Sequence, residues 1–83
     1  MRHPSLVVTP AQLGPVLRAR RRDCGLTQVQ AASNVGLLPK TVSALELDPT
    51  TSTVASLFKL LSALDLEVIL RPRGTDEPDR TDW

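Results

Sequence analysis

The stretch Thr27–Glu46, TQVQAASNVGLLPKTVSALE, holds two helix starts and one helix stop within twenty residues. Thr27 is a good N-cap, and Gln30 can reach back to complete a capping box. Gly36 supplies a stop. Pro39 suits the first turn of a following helix, where its missing N–H would be unpaired anyway. Two helices joined this tightly must cross steeply. Crossing at ~90–120° requires a small residue at the contact and a Gly in the turn. Ala32 and Gly36 stand at those places. Ala31, Val35, Leu37, Val42 and Leu45 fill the positions that must face inward. The spacing predicts a helix-turn-helix, against the plainer alternative of a generic helical hairpin.

The outward positions of the second helix are Lys40, Thr41, Ser43 and Ala44, with Leu38 and Pro39 at its entrance. A short exposed helix held at an angle to its partner fits the DNA major groove. Its orphan N–H groups and dipole favour phosphate at its N-terminus. Lys40 can reach a guanine edge or a phosphate. Thr41 and Ser43 can hydrogen-bond to bases or backbone, and Gln28 can anchor a phosphate and buttress the reading helix. The alternative for each is a solvated polar residue, and Thr41 can also back-bond within its own helix.

The flanking chain reads as more helix. In TPAQ, Thr9 is an N-cap, Pro10 a first helical residue and Gln12 the end of a capping box. Leu13, Val16, Leu17 and Cys24 share one side, and Gly25 is a stop. Val29, Ala32 and Val35 form the expected buried stripe of the second helix. Thr53 or Ser52 caps a fourth helix with the stripe Val54, Leu57, Phe58, Leu60, Leu61 and Leu64. Arg21 and Glu46 fall at the edges of their helices' apolar stripes, where an Arg–carboxylate pair would tie the first helix to the third. Arg18, Arg20 and Arg22 are left as candidates for phosphate contact or a solvated face.

The period changes at Leu66. In LEVILRP, Leu66, Val68 and Leu70 alternate with Glu67, Ile69 and Arg71, and Pro72 ends the run. One strand cannot satisfy its own backbone. The expected partner is the same strand of a second copy, paired across a two-fold axis through Leu66, Val68, Ile69 and Leu70. A dimer also suits a chain of 83 residues, whose core alone is marginal. Cys24 is the single cysteine and His3 the single histidine, so neither an intrachain disulfide nor a four-ligand zinc site is available. No metal or cofactor is implied. No apolar run reaches the ~18 residues of a membrane span. The lead-in MRHPSLVV is too short for a signal peptide, so the cytoplasm is the expected compartment.

Net charge is +1, yet residues 1–73 carry +4 and residues 74–83 carry −3. An acidic tail masks a basic body, and asymmetry of this kind suggests a nucleic-acid partner for the body. The tail is polar and Pro-containing, with too little to bury, and is expected to be disordered. It closes on Trp83, the single tryptophan. The expected organisation is a lead-in over 1–8, a helix-turn-helix domain over 9–65, a dimerisation strand over 66–72 and a flexible acidic tail over 73–83. The fold class is all-α, with four to five helices and one C-terminal β-strand.

GLTQVQAASNVGLLPKTVSALE resembles the Cro/phage-repressor-like (XRE) helix-turn-helix family. The order of TPAQLGPVLRARRRDCGLTQ, the reading helix, TVASLFKLLSALDLEVIL and a Trp-ended acidic tail is similar to the HipB-type antitoxins across essentially the whole chain. That resemblance implies a homodimer sealed by paired C-terminal strands and a palindromic double-stranded DNA operator in its own promoter. It also implies capture of a HipA-type serine/threonine kinase toxin, with Trp83 as a contact. Base readout would fall to Leu38, Pro39, Lys40 and Ser43. The family usually has polar residues at the first two, so contact there would be apolar, for instance to a thymine methyl. A stand-alone repressor without a toxin, and an interaction module without DNA, are the alternatives. An enzyme is not expected, since no carboxylate pair or activated nucleophile is in view.

Overall fold

The computed structural model describes residues 4–73. Four α-helices follow one another: α1 Pro10–Asp23, α2 Gln28–Asn34, α3 Pro39–Leu47 and α4 Val54–Ala63. A single 3₁₀ turn, Pro49–Thr51, links α3 to α4.

Three of the four helices begin on a side-chain hydrogen bond, while α3 starts on Leu38 and Pro39 without one. Gln12 Oε1 accepts from the Thr9 amide at 3.1 Å and from the Val8 amide at 2.6 Å. At α2 the capping box is reciprocal: Thr27 Oγ1 accepts from the Gln30 amide, and Gln30 Oε1 accepts from the Thr27 amide. Thr53 Oγ1 accepts from the Ser56 amide at 3.0 Å and starts α4. Pro15 lies inside α1 without ending it. Gly25 (φ +72°) and Gly36 (φ +71°) turn the chain after α1 and α2, in the left-handed region where a Cβ is strained.

The core is Leu17 from α1, Ala31 and Ala32 from α2, Val42 and Leu45 from α3, and Leu60, Leu61 and Leu64 at the end of α4. Leu13, Leu26, Leu37, Leu57 and Leu66 pack around it. The two alanines bring α2 and α3 close together. A second close approach joins α1 to α3: a Cβ on Gly14 would collide with the Glu46 carbonyl oxygen. Only a glycine fits there.

Several residues expected inside lie outside. Cys24 is exposed, because α1 ends at Asp23 and the chain is already turning away. Val29 is exposed because α2 buries its alanine face. Val54 and Phe58 lie on the far side of α4, 71% and 53% exposed. They belong to the apolar periodicity of α4 but not to the core of one chain. Residues 66–72, expected as a strand, have no regular secondary structure, and no strand forms among the described residues. A strand needs a neighbour to take up its backbone groups, and the described residues offer none. Trp83 and the acidic positions 76, 77, 79 and 82 lie outside the described residues.

Candidate nucleic-acid interface

The angle between α2 and α3 is held by a buried charge network. Arg21, from α1, donates Nε to Glu46 Oε2 at 2.6 Å and Nη2 to Glu46 Oε1 at 3.2 Å. A two-pronged guanidinium–carboxylate pair fixes orientation as well as distance. Arg21 Nη1 donates to the Leu26 carbonyl at 2.8 Å, which pins the turn before α2. Gln28, the first residue of α2, donates Nε2 to Glu46 Oε1 at 3.2 Å. One carboxylate at the end of α3 thus gathers α1 and α2. The hydrogen bond Arg21 donates to the Glu46 carboxylate raises the Arg21 pKa above the ordinary arginine value, although burial lowers it.

This frame turns one side of α3 outward. Leu38, Pro39 and Lys40 are exposed at its N-terminus, while Thr41, Ser43 and Ala44 are half-buried along its flank. Gln28 is half-buried. Its amide is turned toward Glu46, so it braces α3 directly. Leu38 is 56% exposed, whereas its neighbour Leu37 packs on the core. Beside α3 lies a shallow depression of about 350 Å³ lined by Lys40, Thr41, Ala44, Thr51, Ser52, Thr53 and Ser56. Its rim is one ammonium and a row of hydroxyls, which suits an anionic oxygen. Nothing in the sequence marks the loop hydroxyls as an anion site. The TTST run after Pro49 reads first as capping material.

Arg18 and Arg22 are exposed. Arg20 is engaged elsewhere: its Nε donates to the Leu64 carbonyl at 2.9 Å, tying α1 to the end of α4. The carbonyl it satisfies immediately precedes Asp65, which has φ +54°, and the C-terminal segment leaves the helical body from there. Leu66 packs on the core, while Val68, Ile69 and Leu70 are exposed, Leu70 by 91%. Phe58, Leu61, Leu66 and Val68 line a groove of about 400 Å³ between α4 and this segment. Among the described residues no cluster of metal-ligating side chains occurs, and no helix is long and apolar enough to cross a membrane.

Two short helices joined by a Gly36 turn, the second exposing its N-terminal end, define a helix-turn-helix protein. Residues 17–69 match the helix-turn-helix family HTH_3, and the chain belongs to that family. Within it, the chain is 29% identical over 76 residues to antitoxin HipB of Escherichia coli K12, covering 92% of this chain and 86% of HipB. Among solved structures, it is similar to a chain of the HipA-HipB-O2-O3 complex, with a TM-score of 0.80 and 28% identity. That match covers 84% of this chain and 99% of the other. The HipB-O4 20mer complex matches equally well, with a TM-score of 0.80, 28% identity and the same coverage.

Proposed function

We propose that this protein is a sequence-specific DNA-binding repressor that acts as the antitoxin of a toxin–antitoxin pair. It autoregulates its operon and neutralises a HipA-type serine/threonine kinase. The observation that carries the reading is the outward tip of α3, with Lys40 at its N-terminal end and Ser43 on its flank, braced from behind by the Arg21–Glu46–Gln28 network. Leu38, Pro39, Lys40, Thr41 and Ser43 face the major groove, and Gln28 steadies them at the backbone. The hydroxyl-lined depression beside Lys40 takes a flanking phosphate. The likeness to HipB, whose solved structures include complexes with a 20mer and with HipA, supports both halves of the reading.

The working unit is a homodimer. Leu66, Val68, Ile69 and Leu70 pair with their counterparts in a second copy, and Val54 and Phe58 extend that contact along α4. Trp83 contacts the kinase. Residues 1–8 form the lead-in, 9–65 the DNA-binding domain, 66–72 the dimerisation strand and 73–83 the tail.

Titration of the full chain against its own promoter DNA tests the first half. A protein neutralising about six phosphates loses roughly a thousandfold or more in affinity between 50 and 200 mM salt. A flat salt response sinks the DNA-binding reading. Purification of the native protein with its bound partner, repeated without residues 73–83, tests the second. A kinase retained by the shortened chain removes Trp83 from the contact. No kinase with the full chain leaves a stand-alone repressor.

A further inference from the structure

We infer that the leading edge of α3 selects a pyrimidine carrying a C5-methyl group, thymine or 5-methylcytosine, in each half-site. This deepens the DNA-binding reading above and rests on it.

The first turn of α3 offers a partner almost nothing but hydrocarbon. Leu38 is its N-cap, in an extended conformation, and brings no side-chain oxygen. Pro39 has no N–H. The Thr41 amide is engaged with the Leu38 carbonyl at 2.9 Å. The tip that enters a groove first is therefore hydrocarbon: the Leu38 side chain, 56% exposed, and the exposed Pro39 ring. Polar capacity begins only at Lys40.

The major-groove edges of the base pairs present hydrogen-bond donors and acceptors, with one apolar group among them, the C5-methyl of thymine. Methylated cytosine presents the same group. A hydrocarbon tip set against any other edge desolvates a donor or acceptor without replacing its hydrogen bond, which is unfavourable. Set against a methyl, it buries apolar surface on both partners. Leu38 contributes little to the core, since Leu37 fills the inward place. Its exposure at the tip leaves it free to make this contact.

The test uses a duplex selected by the full chain from a randomised library. Each thymine of the selected site is then replaced in turn by deoxyuridine, which removes only the methyl. At one position or more per half-site, affinity should fall about three- to tenfold, the scale of one buried methyl. At that position a cytosine pair should bind more weakly than a 5-methylcytosine pair by a similar factor. Leu38→Ser and Leu38→Gln, both at an exposed position, should remain folded by circular dichroism and bind thymine and deoxyuridine alike. If the wild-type protein treats thymine and deoxyuridine equally throughout the site, the inference fails while DNA recognition stands. Discrimination that survives in both variants assigns the methyl contact elsewhere and also overturns it. Failure to enrich any sequence overturns the DNA-binding reading and this inference together.

Discussion

Gly14 of α1 and Glu46 of α3 meet backbone to backbone, with no room for a methyl group between them. The same Glu46 accepts Arg21 through its side chain, seven residues further along α1. Helix α3 thus packs its backbone against α1 at one point and is hydrogen-bonded to it through a carboxylate at another. Two fixed points set the tilt of α3 where one would leave it free to pivot.

Gly14→Ala should therefore destabilise the fold, although alanine favours helix over glycine by about 1 kcal/mol. The added Cβ collides with the Glu46 carbonyl oxygen, and backbone cannot swing aside as a flexible side chain can. Overpacking of this kind costs ~1–3 kcal/mol. Urea denaturation checks it. A variant as stable as the wild type would mean that α1 slides freely along α3.

Glu46→Ala leaves Arg21 buried without a counter-charge and Gln28 without its acceptor. The expected loss is about 3–5 kcal/mol, the scale for breaking a buried pair from one side. Arg21→Ala should cost a similar amount. The double variant should cost less than the sum, because the second change removes the stranded partner. The pH dependence follows from the raised pKa of Arg21. A cation whose folded pKa lies above its unfolded one contributes fully below the unfolded value. Its contribution is lost only as pH climbs past the ordinary arginine range. Stability contributed by Arg21 ionisation should be level across neutral and moderately alkaline pH, measured as the midpoint of denaturation from pH 7 to 10.

Lys40→Ala and Ser43→Ala should each weaken binding to the selected duplex by about 1–3 kcal/mol where a base contact is lost. If Lys40 contacts phosphate instead, the loss should be uniform across sequences and the salt slope should fall by about one. Gel-shift titrations at several salt concentrations separate the two. Unchanged specific binding in both variants would remove these residues from the readout.

Val68→Asp and Phe58→Ser should both shift the protein from dimer to monomer in sedimentation equilibrium. Phe58 is 53% exposed and Val68 49% exposed in the single chain, so neither change opens a large hole in the core. Helical circular dichroism should persist in both. Two dimeric variants would place the self-association surface elsewhere on the molecule.

The helix-turn-helix was legible because its constraints are local. Thr27, Gly36 and Pro39 each declare a start or a stop through the chemistry of one or two residues. Arg21 and Glu46 were legible as a pair because both stood at stripe edges, and the structure joins them. Gly14 was not: nothing in LGPV announces a backbone contact with a helix more than thirty residues away. Arg20 was grouped with its exposed neighbours because helical spacing does not say that a distant carbonyl waits for it. Val54 and Phe58 fit the helical period of α4, but period reports apolarity and not which molecule covers it. The alternation over 66–72 has the same limit, since a strand is a relation between segments and one copy supplies half of it.

The contact between Arg20 and the Leu64 carbonyl has a mechanical consequence when set beside Gly14. The two residues lie six positions apart on α1, about 9 Å along its axis. Gly14 packs against the end of α3, and Arg20 is bonded to the point from which the C-terminal segment departs. Helix α1 therefore works as a ruler between them. In the two-fold, DNA-bound assembly proposed above, the distance between successive contacts along a duplex would then depend on a helix that need not touch the duplex at all.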